Sequence, residues 1–159
     1  MRLPKALAYR TELAIVALDG TVEERDEYLV ARTPSNPSYW WGNFLLFRDA
    51  PRPDAARRGP AGPWLDAHER ELPGVPSILL AWDRPDGEAG AADAFLPFGF
   101  VRDDGTTLTA TTVHPPPRYD PAIDVRALED DASWTAAARA LTAAFAARRS
   151  GTLADLARF

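Results

Sequence analysis

The sequence predicts an α+β fold: a mixed, mostly antiparallel central sheet flanked by helices, followed by a C-terminal amphipathic helix. Three observations predict it. Short runs of strand length, separated by turn signals, fill residues 13–47. A strand, helix, strand succession over residues 39–82 asks for a parallel pair or a crossover. Residues 132–149 carry an apolar stripe at helical spacing. The chain has 159 residues, is 46% hydrophobic and holds five tryptophans, enough to bury a sizeable core.

The elements follow in order. Leu13–Leu18 is an apolar run, read as a strand, that stops at the turn pair Asp19-Gly20. Thr21–Arg25 is polar and suits an edge strand. Asp26-Glu27 turns the chain, and Tyr28–Thr33 returns as a strand. Thr33–Pro37 carries turn chemistry. Tyr39–Phe47 then reads as a strand buried on both faces, completing an antiparallel meander. Gly42 in its middle suggests a bulge or a close backbone approach. Asn43 is the one amide in that apolar run, and burial would oblige it to find partners.

Asp49–Pro63 is linker-like, and Trp64–Leu72 is a short helix with Pro63 at its first turn and Pro73-Gly74 at its end. Val75–Trp82 is a strand and Glu88–Phe95 makes helical turns ended by Pro97. Phe98–Arg102 and Thr106–Val113 are expected strands, the second with five Thr among the seven residues 106–112. The prolines after His114 stiffen the chain. Ile123–Leu128 reads as one more strand, and Ala132–Arg149 as a helix. Trp134, Ala138, Leu141 and Phe145 lie on one face of that helix, Asp130-Asp131 at its start and Arg148-Arg149 at its end. Thr152–Asp155 resembles a capping box for a last short helix.

Composition excludes several function classes. With no cysteine the chain has no disulfide, thiolate metal site or cysteine nucleophile. A formal charge of −5 and the lack of a basic stripe argue against nucleic acid and anionic membranes. No apolar run is long enough for a transmembrane helix, and Met1–Leu7 is too short and too soon interrupted for a secretory signal, so a cytoplasmic location is expected. His68, Glu69 and Glu71 share a short helix, but no second histidine stands at i+4 to complete a metal pair, so a partly exposed helix histidine is expected.

Arg32-Thr33-Pro34, then Asn36-Pro37, then Trp40-Trp41-Gly42-Asn43-Phe44-Leu45-Leu46-Phe47 resembles the first half of two-domain bacterial proteins of the GNAT N-acetyltransferase superfamily. The resemblance covers about two-thirds of the chain. It implies a GNAT-like domain over residues 1–117, entered after the family's first strand and helices. Residues 118–159 then resemble the opening strand and helix of a second, truncated domain, to which catalysis belongs in such proteins. It also implies a central strand that splays from its neighbour, with acyl-coenzyme A in the opening. Gly42 and Asn43 would lie there.

The family's pyrophosphate motif is Arg or Gln, two residues, Gly, one residue, then Gly or Ala. The matching place holds Arg57, Arg58, Gly59, Pro60, Ala61, Gly62 and Pro63. Counted from Arg57, Pro60 stands at the first required glycine and only Gly62 fits. Counted from Arg58, Ala61 replaces that glycine and Pro63 the last residue. Phosphate binding at a helix start depends on backbone N–H donors, and proline has none. The coenzyme-binding candidates are therefore a degenerate loop, Arg57, Arg58, Gly59, Ala61 and Gly62, with Gly42 and Asn43 on the central strand. The tyrosine that commonly protonates the leaving thiolate in this family stands four residues before a Gly-Phe pair. Here Gly99-Phe100 resembles that pair and the position holds Phe95, which has no hydroxyl. No catalytic residue is assigned.

Three functions follow. The first is a noncatalytic GNAT-like domain that associates with itself as a homodimer, or with a catalytic domain on another chain, through the C-terminal helix. The second is an active N-acetyltransferase using acetyl-CoA. The third is a small-ligand binder with an aromatic cleft around Trp40, Trp41 and Trp82.

Overall fold

Phe44–Phe47 has apolar side chains at every position, so it needs cover on both sides and hydrogen-bonded neighbours at both edges. The fold of this protein, described from a computed structural model over residues 1–53, 61–114, 118 and 120–150, supplies all four. The chain divides into two compact units, Met1–Thr109 and Ala110–Phe159.

The first unit runs α1 (Leu7–Val16), β1 (Thr21–Glu24), β2 (Tyr28–Arg32), β3 (Phe44–Phe47), α2 (Gly62–Glu71) and β4 (Leu80–Trp82). Its four strands stand in the order β1-β2-β3-β4. β1 pairs with β2 and β2 with β3 antiparallel, while β3 and β4 are parallel in the register Leu45 to Leu80 and Phe47 to Trp82. The fold is therefore α+β with a mixed, mostly antiparallel sheet. The meander, the polar edge strand β1 and the parallel return through α2 agree with the sequence reading.

Side-chain alternation builds two cores. Tyr28, Val30, Leu45 and Phe47 pack with Trp64, Ala67 and Leu72 of α2. Leu29, Ala31, Phe44, Leu46 and Ala81 pack with Leu13 and Val16 of α1. The sheet is thus the middle layer, with one helix on each side. Asp83, just past β4, fastens the start of α1. Its carboxylate accepts the backbone N–H groups of Lys5 (2.6 Å) and Ala6 (2.8 Å), and its own N–H donates to the Phe47 carbonyl (2.8 Å).

Several elements differ from expectation. The run Leu13–Leu18 is not a strand, because it continues a helix begun at Leu7. Tyr9, Leu13 and Val16 fall on the face of α1 that meets the sheet, and a six-residue apolar run alone does not separate a buried strand from a helix. Asp19-Gly20 accordingly joins a helix to a strand. The strand expected over 39–47 begins only at Phe44, and a 3₁₀ turn, Trp40–Gly42, precedes it instead of a bulge. Only Leu80–Trp82 of the strand expected from Val75 is paired.

The helical turns expected over 88–95 form a 3₁₀ segment, Ala92–Phe98, with Pro97 inside it. Phe98–Arg102, Thr106–Val113 and Ile123–Leu128 form no strands. β-branched residues favour a strand only where a neighbour offers a pleated surface, and Val101, Leu108 and Val125 are about 90% exposed.

In the second unit, α3 (Asp131–Ser150) forms where helical spacing predicts it. Its start is closed reciprocally: the Ser133 N–H donates to Asp130 Oδ1 (2.7 Å) and the Asp130 N–H to Ser133 Oγ (3.2 Å). The last short helix expected at 152–159 lies outside the described residues.

Gly20 sits where β2 comes closest to the chain. A Cβ there would stand 2.1 Å from the Arg32 carbonyl oxygen and 3.0 Å from that of Val16. Gly20→Ala is expected to destabilise the first unit by roughly 2–3 kcal/mol through forced backbone displacement, measured as a lower urea midpoint at unchanged slope.

Candidate functional site

The motif residues Thr33 to Asn43 form a closed loop between β2 and β3. Asn43 is 2% exposed and its amide holds the loop: Oδ1 accepts the Thr33 N–H (3.0 Å), while Nδ2 donates to the carbonyls of Asn36 (3.0 Å) and Tyr39 (2.9 Å). Thr33 Oγ1 donates to the Gly42 carbonyl (3.1 Å). The absence of a side chain at Gly42 makes room for this bond, since a Cβ would lie 2.6 Å from Thr33 Oγ1 and 2.6 Å from Tyr39 Cδ1. Gly42 and Asn43, the coenzyme candidates expected on the central strand, stand just ahead of it, with their polar side-chain and backbone groups turned to the loop.

The second group of candidates stands at the start of α2. Ala61 is fully buried in the same cluster as Phe47 and Trp64, and Gly62 opens the helix with Pro63 behind it. Arg57, Arg58 and Gly59 lie outside the described residues, as does Pro60. The Phe47 and Trp64 rings stack at 3.8 Å and 10°, and Trp82 and Phe95 meet Trp64 edge-on, each at 5.7 Å. Phe95 also packs on Phe100 at 5.6 Å. Phe95 is therefore a buried ring enclosed by other rings.

The three tryptophans proposed as a cleft do not come together: Trp40 and Trp41 touch, and Trp82 lies apart from them. Trp41 packs edge-on against Phe44, toward the α1 side of the sheet, whereas Trp82 packs with Trp64 on the α2 side. Trp40 stands about half exposed at 5.6 Å from Trp41.

Titratable groups gather instead at the C-terminal end of α2. Glu71 accepts from Arg25 Nε (3.0 Å) and Nη2 (2.8 Å), from the Tyr28 hydroxyl (3.0 Å) and from Arg32 Nη2 (2.8 Å). Glu23 closes the cluster from β1 by pairing with both Arg25 and Arg32. The hydrogen bond from Arg25 holds the Glu71 carboxyl below its ordinary value; burial works the other way, and Tyr28 adds to the lowering.

Sequence reasoning weighed Glu71 only as a metal ligand. No local signal marks its partners, which stand about 40 residues away on β2 and in the turn before it, and among the described residues no group of three metal-ligating acids and histidines forms. His68, expected to be partly exposed, is 4% exposed, one turn after Trp64 on the buried face of α2. Burial pushes its pKa below the ordinary 6.5.

Two outcomes follow. Asn43→Ala removes three hydrogen bonds and strands the buried Thr33 N–H; it is expected to lower stability by about 2–3 kcal/mol, read by urea unfolding. The second concerns acid. His68 has a lowered folded pKa, so the unfolded chain takes up its proton first, and stability falls as pH drops below about 6.5. Glu71 is likewise lowered, and its contribution is lost only as pH drops below about 4.5. Thermal melts across pH should show both declines, and His68→Leu should flatten the upper one alone. In comparison with known proteins, no family model, curated protein or solved structure matches this chain.

Proposed function

We propose that this chain is a noncatalytic GNAT-like domain that acts by association, with a second copy of itself or with a catalytic domain on another chain. The observation that carries the association is α3. Trp134 is 60% exposed and Leu141 59% exposed, and they lie seven residues apart with Ala138 between them on one face. Large apolar side chains at that spacing are anchors of helix-in-groove recognition. Supporting the GNAT-like reading are the antiparallel order of β1, β2 and β3, the crossover through α2 and the parallel return at β4. The noncatalytic reading is supported by Phe95, which puts a buried phenyl ring where the family's proton donor would be.

The second reading, an acetyl-CoA-dependent N-acetyltransferase, draws on Gly62 at the first position of α2, beside the cluster that holds the last residue of β3. Among the described residues no helix is long and apolar enough to cross a membrane.

Light scattering over rising concentration tests the association. The wild-type chain is expected to increase in mass, and Trp134→Ala with Leu141→Ala to weaken that growth, each truncation by about 1–3 kcal/mol. A wild-type chain that stays monomeric and binds no GNAT catalytic domain overturns the proposal. Calorimetry with acetyl-CoA separates the second reading: heat that coenzyme A competes away would establish it, and absence of heat at millimolar ligand would remove it.

A further inference from the structure

We infer that the outward face of α1 is the docking surface for α3 of a second copy of this chain, the two helices running parallel. This docking rests on the association through α3 proposed above and names the surface that receives it. α1 is apolar on two opposite sides. Leu13 and Val16 face the sheet and are buried. Leu7, Thr11, Ala14 and Leu18 recur at steps of four, three and four on the side turned away from them, with Ile15 alongside. Leu7 and Ile15 are about half exposed and Leu18 is 85% exposed. A helix with apolar residues all round belongs between two layers, and the sheet covers only one side of this one.

Spacing and charge point to the occupant. Trp134, Ala138 and Leu141 step by four and three along α3, as Leu7, Thr11 and Ala14 do along α1. Laid side by side in the same direction, Trp134 comes opposite Leu7, and Leu141 opposite Ala14 and beside Ile15. The small pair Thr11 and Ala138 lets the two backbones approach between these anchors. Covering Thr11 strands no polar group, because its hydroxyl donates to the Leu7 carbonyl (3.2 Å).

Charge sets the direction. Lys5 and Arg10 flank the Leu7 end of α1 and form no ion pair among the described residues; Arg10 Nε donates only to the Pro4 carbonyl (2.6 Å). Asp19 follows Leu18 at the other end. On α3, Asp130 and Asp131 lie within about one turn of Trp134 and likewise form no ion pair among the described residues. The parallel arrangement sets these two acids against Lys5 and Arg10. The antiparallel one sets them against Asp19, and like charges repel. Helix dipoles oppose the parallel arrangement, but they act as half-charges that fade within a turn, whereas the side chains carry full ones.

Sedimentation equilibrium on the full chain tests this. The wild type is expected to dimerise. Leu7→Ser with Ile15→Ser is expected to weaken the dimer by about tenfold or more, as is Trp134→Ala with Leu141→Ala, each with a native circular-dichroism spectrum. Mixing the two double variants is expected to restore part of the dimer, because one intact pair of faces remains between unlike copies. Arg10→Glu is expected to weaken association and Asp131→Arg to repair it in the same chain; these charge reversals decide the matter if the serine variant does not fold. A dimer weakened by the α3 variant but unchanged in folded Leu7→Ser with Ile15→Ser overturns this docking and leaves association through α3 standing. A dimer that neither double variant weakens removes both. A wild-type chain that stays monomeric overturns the docking, and the association falls with it only if no GNAT catalytic domain binds. Failure of Asp131→Arg to repair Arg10→Glu overturns the parallel arrangement.

Discussion

Four consecutive side chains in β3, Phe44 to Phe47, are shielded from water on both faces of the sheet, none of them more than 5% exposed. Each such residue contributes on the order of 2 kcal/mol of apolar transfer if its cover is complete. That condition places the rest of the first unit. Two strands must flank β3 to satisfy its backbone, and a helix must lie on each side. The helix before the sheet covers Phe44 and Leu46; the helix after β3 covers Leu45 and Phe47. The parallel pairing with β4 follows from the same demand, since the chain must cross one face through α2 before it returns.

Polar groups then decide where the layers sit. Asp83 ties the amides ahead of α1 to the end of β4, and Glu71 ties the end of α2 to β2 and the turn before it. Asn43 closes the loop that delivers the chain into β3. Each of the three carboxylates or amides satisfies several donors or acceptors at once. Directional bonds of this kind add specificity that apolar packing lacks, because burial is indifferent to a small slide while a hydrogen bond is not.

The same features shape the functional reading. The loop ahead of β3 has its amide and glycine engaged in closure, and an aromatic cluster fills the region next to the start of α2. Among the described residues, His68 Nε2 is a buried side-chain atom without a hydrogen-bond partner, and His68 lies toward the other end of that helix.

Much of the architecture was readable in the residues themselves. Turn pairs and strand-length runs located β1 and β2, Pro63 and Pro73-Gly74 bracketed α2, and the repeat of Trp134, Ala138 and Leu141 marked α3. These are local signals, set by side-chain spacing and by what glycine and proline do to the backbone. The chain could not show that residues 13–18 belong to a helix, that residues 40–42 coil into a turn, or that the threonines of 106–112 find no neighbour. Nor could it show that Glu71 would gather arginines from β2 and the turn before it or that His68 would be buried with a bare nitrogen. Such outcomes depend on which groups, tens of residues apart, arrive at the same place, and only tertiary packing brings them there.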